Sequence, residues 1–350
     1  MLIDREPVGR VVLCDIIRYF LRLLEFVQDL SLGRTDDSPA WDIDVGWLSP
    51  KSVGVIVAIT PVTPEKSARA LFREVAPRPL YEVALGIREG WRNLVRSYYS
   101  GRKIRRRVQG INFELDLVET IDSSIYFDGF YERTTTRAMA ACVRDGMTVF
   151  DVGANIGAHT LRLCRLAGRG RVFAFEPTSW AFGKLSRNLS LNNFPNCRIE
   201  HLALSDSPGE EVIHRGTDRA LAPFRASFQQ KGRSATANTS ETIRFDTLDH
   251  FVEQHEIGSI DFIKIDVDGY EGRVVRGGLS TIERDRPLMC IEFSHEQMLR
   301  IGDSLPSLLE TLQDVGYGIY DIEAFERCSI DRVLEILQGA RALDFLLSCD

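Results

Sequence analysis

The chain of 350 residues has seven cysteines, an odd number, and no pair stands in C-x-x-C spacing. Their scatter (Cys14, Cys142, Cys164, Cys197, Cys290, Cys328, Cys349) argues against a disulfide framework and a thiolate zinc site, and points to a reducing compartment, the cytoplasm. An excess of basic residues is also missing: the net charge of −7 gives no global reason to expect nucleic acid or an anionic membrane as partner. No apolar run is long enough to cross a bilayer, because Asp15, Arg18, Arg22 and Glu25 interrupt the richest one, residues 11–27. That stretch lacks a small-residue cleavage site as well. It is expected to pack against the protein, with peripheral membrane contact as the alternative. Internal repeats are absent.

What is present falls into three parts. Residues 1–100 read as a mainly helical extension of unknown role: an amphipathic helix over 9–30, a short apolar run over 53–59, proline-broken chain, and a helix over 80–99. Residues 102–107, RKIRRR, place five basic residues in six positions. Phosphate, RNA or membrane binding competes there with a solvated helix end, the expected outcome, since cations suit a helix C-terminus. Residues 101–325 switch to short apolar runs alternating with helical patterns, beginning with the alternation Ile111, Phe113, Leu115, Leu117. From residue 147 onward this predicts an α/β, doubly wound, mostly parallel sheet. Strands are expected near 147–152, 171–176, 198–202, 260–267, 288–293 and 316–322, with an antiparallel pair at 211–214 and 242–245. The first crossover helix is expected over 156–167 and another around 305–315. The tail, 326–350, reads as one more amphipathic helix over 331–348.

Strand ends of a parallel sheet share one edge, so acids and glycines there converge on one crevice. Asp151 with Gly153 and Gly157 follows the first strand, Glu176 the second, and Asp266 the fourth. Glu176 lies 19 residues beyond Gly157, where an acid can accept hydrogen bonds from ribose hydroxyls. A pyrophosphate cradle requires G-x-G-x-x-G. Here the spacing is D-V-G-A-N-I-G, which suits a nucleoside cofactor without phosphate, such as S-adenosylmethionine (SAM), better than NAD.

Seven segments occur in order: FDVGANIG (150–157), FEP (175–177), NLSLNN (188–193), ALSD (203–206) followed by Gly209, TLD (247–249), FIKIDVDGYE (262–271) and IEFS (291–294). Together they resemble the FkbM-type family of SAM-dependent methyltransferases over about residues 111–322. The resemblance implies a Rossmann-like class I methyltransferase fold. It implies O-methylation of a hydroxyl on a small acceptor, a sugar, polyketide or lipid-linked glycan. By position, Asp151, Gly153, Asn155 and Gly157 would line the methionine end of SAM, Glu176 the ribose, and Ser205 with Asp206 the adenine edge. One departure is Asp268, where the family more often has Glu.

A hydroxyl acceptor must lose a proton, so a base is expected. Asp266 is the first candidate, with Glu292 and His295 behind it. Lys264 interrupts an apolar strand on the face of Asp266 and, if buried, must pair with a carboxylate. A divalent metal on Asp266, Asp268, Glu271 and Glu292 is the weaker alternative, because acids at a helix start suit its dipole without a metal. No metal ligand is assigned. His159 is expected only to pack, and His201, His214, His250 and His255 lack ligand spacing. The polar loop 215–240 carries Arg215, Arg219, Arg225, Lys231 and Arg233 against Asp218, and is long enough for a lid that favours an acidic or sugar-phosphate acceptor; a solvated loop is the other reading. Two further functional readings stay open: an NAD-dependent oxidoreductase, and a non-catalytic SAM-binding scaffold.

Overall fold

In a computed structural model of the chain, residues 78–215, 239–338, 340 and 342–349 are described. The chain divides into two units, Met1–Arg102 and Lys103–Asp350. The described element of the first is the helix Arg78–Tyr98. Arg96 in its last turn suits the negative end of the helix dipole and bonds Glu89 and Asn93, both at 3.2 Å. The helix expected over 9–30, the run 53–59 and nearly all of the loop 215–240 lie outside the described residues. Among the described residues no helix is long and apolar enough to cross a membrane.

The second unit opens with an antiparallel hairpin, β1 (Ile104–Val108) and β2 (Ile111–Leu115). Gln109 and Gly110 turn it, both at positive φ (49° and 80°), as a two-residue turn matched to strand twist requires. The basic run is therefore not a helix end. The helix stops at Tyr98, and β1 alternates, with Arg105 and Arg107 exposed and Val108 buried against β2. Across the hairpin, Lys103 and Arg105 lie 3.6 and 3.9 Å from Glu114. Helices Thr120–Asp128 and Arg133–Cys142 then lead into the main sheet.

The sheet is built from β3 (Thr148–Val152), β4 (Arg171–Phe175) and β5 (Cys197–Glu200). After a small separate sheet of β6 (Ala203–Leu204), β7 (Gly209–Arg215) and β8 (Thr239–Asp246), it continues with β9 (Phe262–Ile265), β10 (Leu288–Phe293), β11 (Tyr317–Asp321), β12 (Arg327–Cys328) and β13 (Leu343–Cys349). The order across the eight strands is β12-β11-β13-β10-β9-β3-β4-β5. Pairs from β10 to β5 are parallel, and β13 runs antiparallel to both β10 and β11. This is the α/β, mostly parallel sheet that the alternation of strand and helix patterns predicts. Strands buried on both faces read as continuous apolar runs, and β3 and β9 are buried at every position. One face packs a T-shaped and tilted aromatic group, Phe150, Phe173, Phe175 and Phe251, with centroids 4.8–6.1 Å apart.

Two further expectations are corrected. The first crossover helix begins at Thr160 rather than 156, since Asn155 and Gly157 hold positive φ (48° and 88°) and keep the intervening residues in a turn. The tail is not one helix. It forms a helix over Ile330–Gln338 and then β13, whose Phe345, Leu346 and Leu347 are buried consecutively between β10 and β11. A short apolar run carries no period that separates helix from strand.

Candidate active site

A cavity of about 260 Å³ opens along the C-terminal edge of β3, β4, β9 and β10. Asp151, Gly153, Asn155, Glu176, Lys264, Asp266 and Glu292 all line it, so seven of the residues singled out in the sequence converge. Gly157, Ser205, Asp206 and His295 lie outside the lining. Gly157 packs, since a Cβ there would stand 2.7 Å from Leu185 Cδ1. The backbone of Ser205 meets the end of helix Glu271–Arg276, where a Cβ on Gly277 would sit 1.9 Å from its carbonyl oxygen. Asp206 faces Arg276 at 3.5 Å, and His295 is exposed at a helix start. Leu202, Leu204, Phe245 and Tyr270 supply an apolar wall instead, with the last two rings stacked at 6.4 Å.

Gly153 is required by the protein itself. At φ +88°, a Cβ there would lie 1.8 Å from the Asp266 carbonyl oxygen, so the ends of β3 and β9 can approach only with glycine. Its N–H and that of Ala154 donate to the Phe175 carbonyl (3.0 and 2.9 Å), pinning the turn to β4. Glu176 completes the arrangement. Its Oε1 accepts from the Thr178 N–H (2.9 Å) and hydroxyl (2.6 Å), and its Oε2 from the Asn155 N–H (2.9 Å). A carboxylate offers about four lone-pair sites, so roughly one is left for a ligand hydroxyl. Burial pushes this carboxyl up to about 7 against the pull of those hydrogen bonds.

Strand register builds the other end. Asp151 stands opposite Lys264 on β9, which stands opposite Cys290 on β10. Two residues further along β9 and β10, Asp266 and Glu292 share that face, and Glu292 is directly opposite Asp344 on β13. Lys264 is 1% exposed and its Nζ donates to Asp266 Oδ2 at 2.8 Å. Burial works against its ammonium, but Asp266, Asp151, Glu132 and Asp344 outweigh it and raise Lys264 above the ordinary lysine range. Asp151 is fully buried; its Oδ2 accepts the Thr160 hydroxyl at 2.6 Å, and Oδ1 has no hydrogen-bond partner among the described residues. Neighbouring carboxyls cannot all ionise. Burial first, then Asp266, Asp344, Glu132 and Glu271, drive Glu292 up to about 10, and burial with Glu132 takes Asp344 up to about 6.

No motif in the sequence marks Glu132, Tyr131 or Asp344 as part of the site, and His159, expected only to pack, belongs to it as well. His159 Nε2 lies 3.0 Å from Glu132 Oε2, and both line the cavity with Tyr131 and Thr120. Burial opposes ionisation of Glu132, yet its bond to His159 and the charge of Lys264 hold it below the usual carboxylate range. No sequence spacing links partners on a helix start and on a loop 27 residues earlier. The four carboxylates that could have held a metal are not grouped as a ligand set. Asp266 pairs with Lys264, Asp268 accepts from Gln297 Nε2 (2.8 Å), and Glu271 accepts the N–H groups of Val267 and Gly269 (both 3.1 Å). Among the described residues no three His, Cys, Asp or Glu side chains are grouped to hold a metal ion.

Comparison with known proteins adds a likeness to one family. Residues 151–319 match the methyltransferase FkbM domain, just under half of the chain. The chain is 28% identical over 153 residues to the hexuronic acid methyltransferase AglP of Haloferax volcanii, a match covering 43% of this chain and 58% of that protein. To the 2-O-methyltransferase NoeI of Sinorhizobium fredii it is 25% identical over 173 residues, covering 47% of this chain and 70% of the relative. The crystal structure of a methyltransferase FkbM from Methylobacillus flagellatus superposes with a TM-score of 0.36 at 17% identity, covering 66% of this chain and 48% of the other. The chain thus spans little more than half of the first relative's length. Within the matched residues, the NLSLNN run is structural. Asn188 Oδ1 accepts the Glu114 N–H (2.8 Å) while its Nδ2 donates to the Ile156 carbonyl (2.9 Å), tying β2 to the turn. Thr120, Tyr131, Glu132 and Asp344 all lie outside the matched residues.

Proposed function

We propose that this protein is a SAM-dependent O-methyltransferase acting on a hydroxyl of a small acceptor such as a sugar. The single observation that carries the reading is the Glu176 carboxylate, buried at the end of β4, bonded to the Asn155 turn and lining the cavity. The residues present fit the cofactor. Glu176 would take a ribose hydroxyl, the wall of Leu202, Leu204, Phe245 and Tyr270 would take the adenine, and the orphaned Asp151 Oδ1 offers a buried acceptor for the methionine ammonium. When bound, SAM supplies a sulfonium methyl group.

The chain's own groups then have separate tasks. Lys264 fixes Asp266 through Oδ2, and Asp266 takes up the proton that the acceptor hydroxyl loses. Glu292, holding its proton at neutral pH, is a donor to a neighbouring acceptor oxygen. The cavity walls orient acceptor and methyl group, where much of the rate enhancement of a displacement can arise. The relatives' names, a hexuronic acid methyltransferase and a 2-O-methyltransferase, support a hydroxylated sugar as acceptor. Calorimetric titration with S-adenosylhomocysteine (SAH) and with NAD tests the reading: SAH should bind and NAD should not. Binding of NAD alone would replace it with the oxidoreductase reading.

A further inference from the structure

Carboxyl groups dominate the acceptor end of the cavity. Glu132, Asp266 and Glu292 line it, and Asp344 stands behind Glu292 in register. Among the described residues Lys264 is the one lysine or arginine in the lining; it is 1% exposed and its ammonium is bonded to Asp266. Four carboxyl groups, those of Asp266, Asp151, Glu132 and Asp344, act on that single ammonium, and His159 is already bonded to Glu132, so carboxyls outnumber basic groups at this end. Among the described residues no lysine or arginine in the lining remains to receive an anion.

Glu132 is held at the cavity by strained backbone. It occupies the N-cap position of helix Arg133–Cys142 at φ +44°, an uncommon conformation for a side chain of its kind, and its carboxylate makes no capping bond. Such strain persists only where surrounding contacts impose it. The carboxylate instead meets His159, which is 5% exposed, lines the cavity and has a buried Nδ1 without a hydrogen-bond partner among the described residues. An unused imidazole nitrogen beside an anchored carboxylate supplies acceptors for hydroxyl and ammonium donors. Both Glu132 and its neighbour Tyr131 precede the matched FkbM domain, so this wall is not part of the shared domain.

We propose that Glu132, with Asp266, selects an uncharged or amine-bearing sugar-like polyol as acceptor and rejects acceptors bearing a carboxylate or phosphate. This rests on the methyl-transfer reading and separates this chain from the hexuronic acid methyltransferase it resembles. A carboxylate on the acceptor would meet Glu132 and Asp266 in a partly desolvated site, where like charges a few ångström apart cost enough for discrimination of about tenfold or more.

The test offers the full chain, with SAM, matched phenyl glycosides that differ at C6 (glucoside and glucuronide, galactoside and galacturonide), and phenyl glucosaminide. Methyl transfer is read by mass, and SAH affinity is measured in parallel. The neutral or amino member of a pair should be methylated with kcat/KM about tenfold or more above its uronide. Glu132→Gln, which keeps an acceptor oxygen for His159, should narrow that ratio several-fold while SAH affinity and melting temperature hold. A uronide methylated as well as its neutral partner overturns the proposal. So does an unchanged ratio in Glu132→Gln, or SAH binding with no neutral or amino sugar methylated. Absence of SAH binding in the wild type instead removes the methyl-transfer reading, and this inference with it.

Discussion

The two ends of the cavity are made differently. The end assigned to the cofactor is local: Asp151, Gly153, Asn155 and Glu176 come from adjacent strands and the turns that follow them, all inside the residues that match the FkbM model. The end assigned to the acceptor is assembled from distant pieces, with Tyr131 and Glu132 before that match, Lys264, Asp266 and Glu292 within it, and Asp344 on β13 after it. The first end is fixed by backbone geometry and the second by charge. Substitutions should therefore separate binding of the cofactor from use of the acceptor.

Asp266→Asn should give the largest effect, lowering turnover by roughly 10²- to 10⁴-fold through loss of the base, with SAH affinity kept. Melting temperature must be followed in parallel, because the variant removes the counter-charge of the buried Lys264 ammonium. Normal turnover would move the base to another group. Gly153→Ala should come next. Its Cβ would meet the Asp266 carbonyl oxygen at 1.8 Å in a backbone region at φ +88°, so thermal unfolding should report a loss of about 3 kcal/mol or more. A variant as stable as wild type would mean that β3 and β9 tolerate separation.

Glu176→Ala should weaken SAH by about 10- to 100-fold, the worth of a hydrogen bond to a charged group, and disturb the Asn155 turn with it. The smallest effect is a pH dependence. Burial raises the Glu176 carboxyl to about 7, so below that pH it holds a proton and loses its character as an acceptor. SAH affinity should fall as pH drops through about 7, by no more than about tenfold per unit. In Glu176→Gln the profile should flatten, and a slope that survives would have to come from another group.

The same division governs how much the sequence revealed. The parallel sheet, Glu176 and the Asp151 to Gly157 turn were legible because strand, turn and helix signals are local. Even so, the glycines serve purposes that spacing does not disclose: Gly153 admits the Asp266 backbone, and Gly157 admits Leu185. Strand β13 was read as helix, since its apolar residues 345–347 are consecutive, and Asp344 was lost with it. The basic run of β1 concealed a strand because its pairing turn, Gln109–Gly110, lacks the usual Asn-Gly or Asp-Gly signal. Glu132 and His159 gain their meaning from each other, and only tertiary structure brings them within 3.0 Å.

The most direct measurement is SAH affinity by calorimetry in wild type, Glu176→Ala and Glu132→Gln, side by side. A cavity divided as described predicts tight SAH binding in the wild type, marked loss in Glu176→Ala and no change in Glu132→Gln. Equal losses in both variants, or none in Glu176→Ala, would contradict the division.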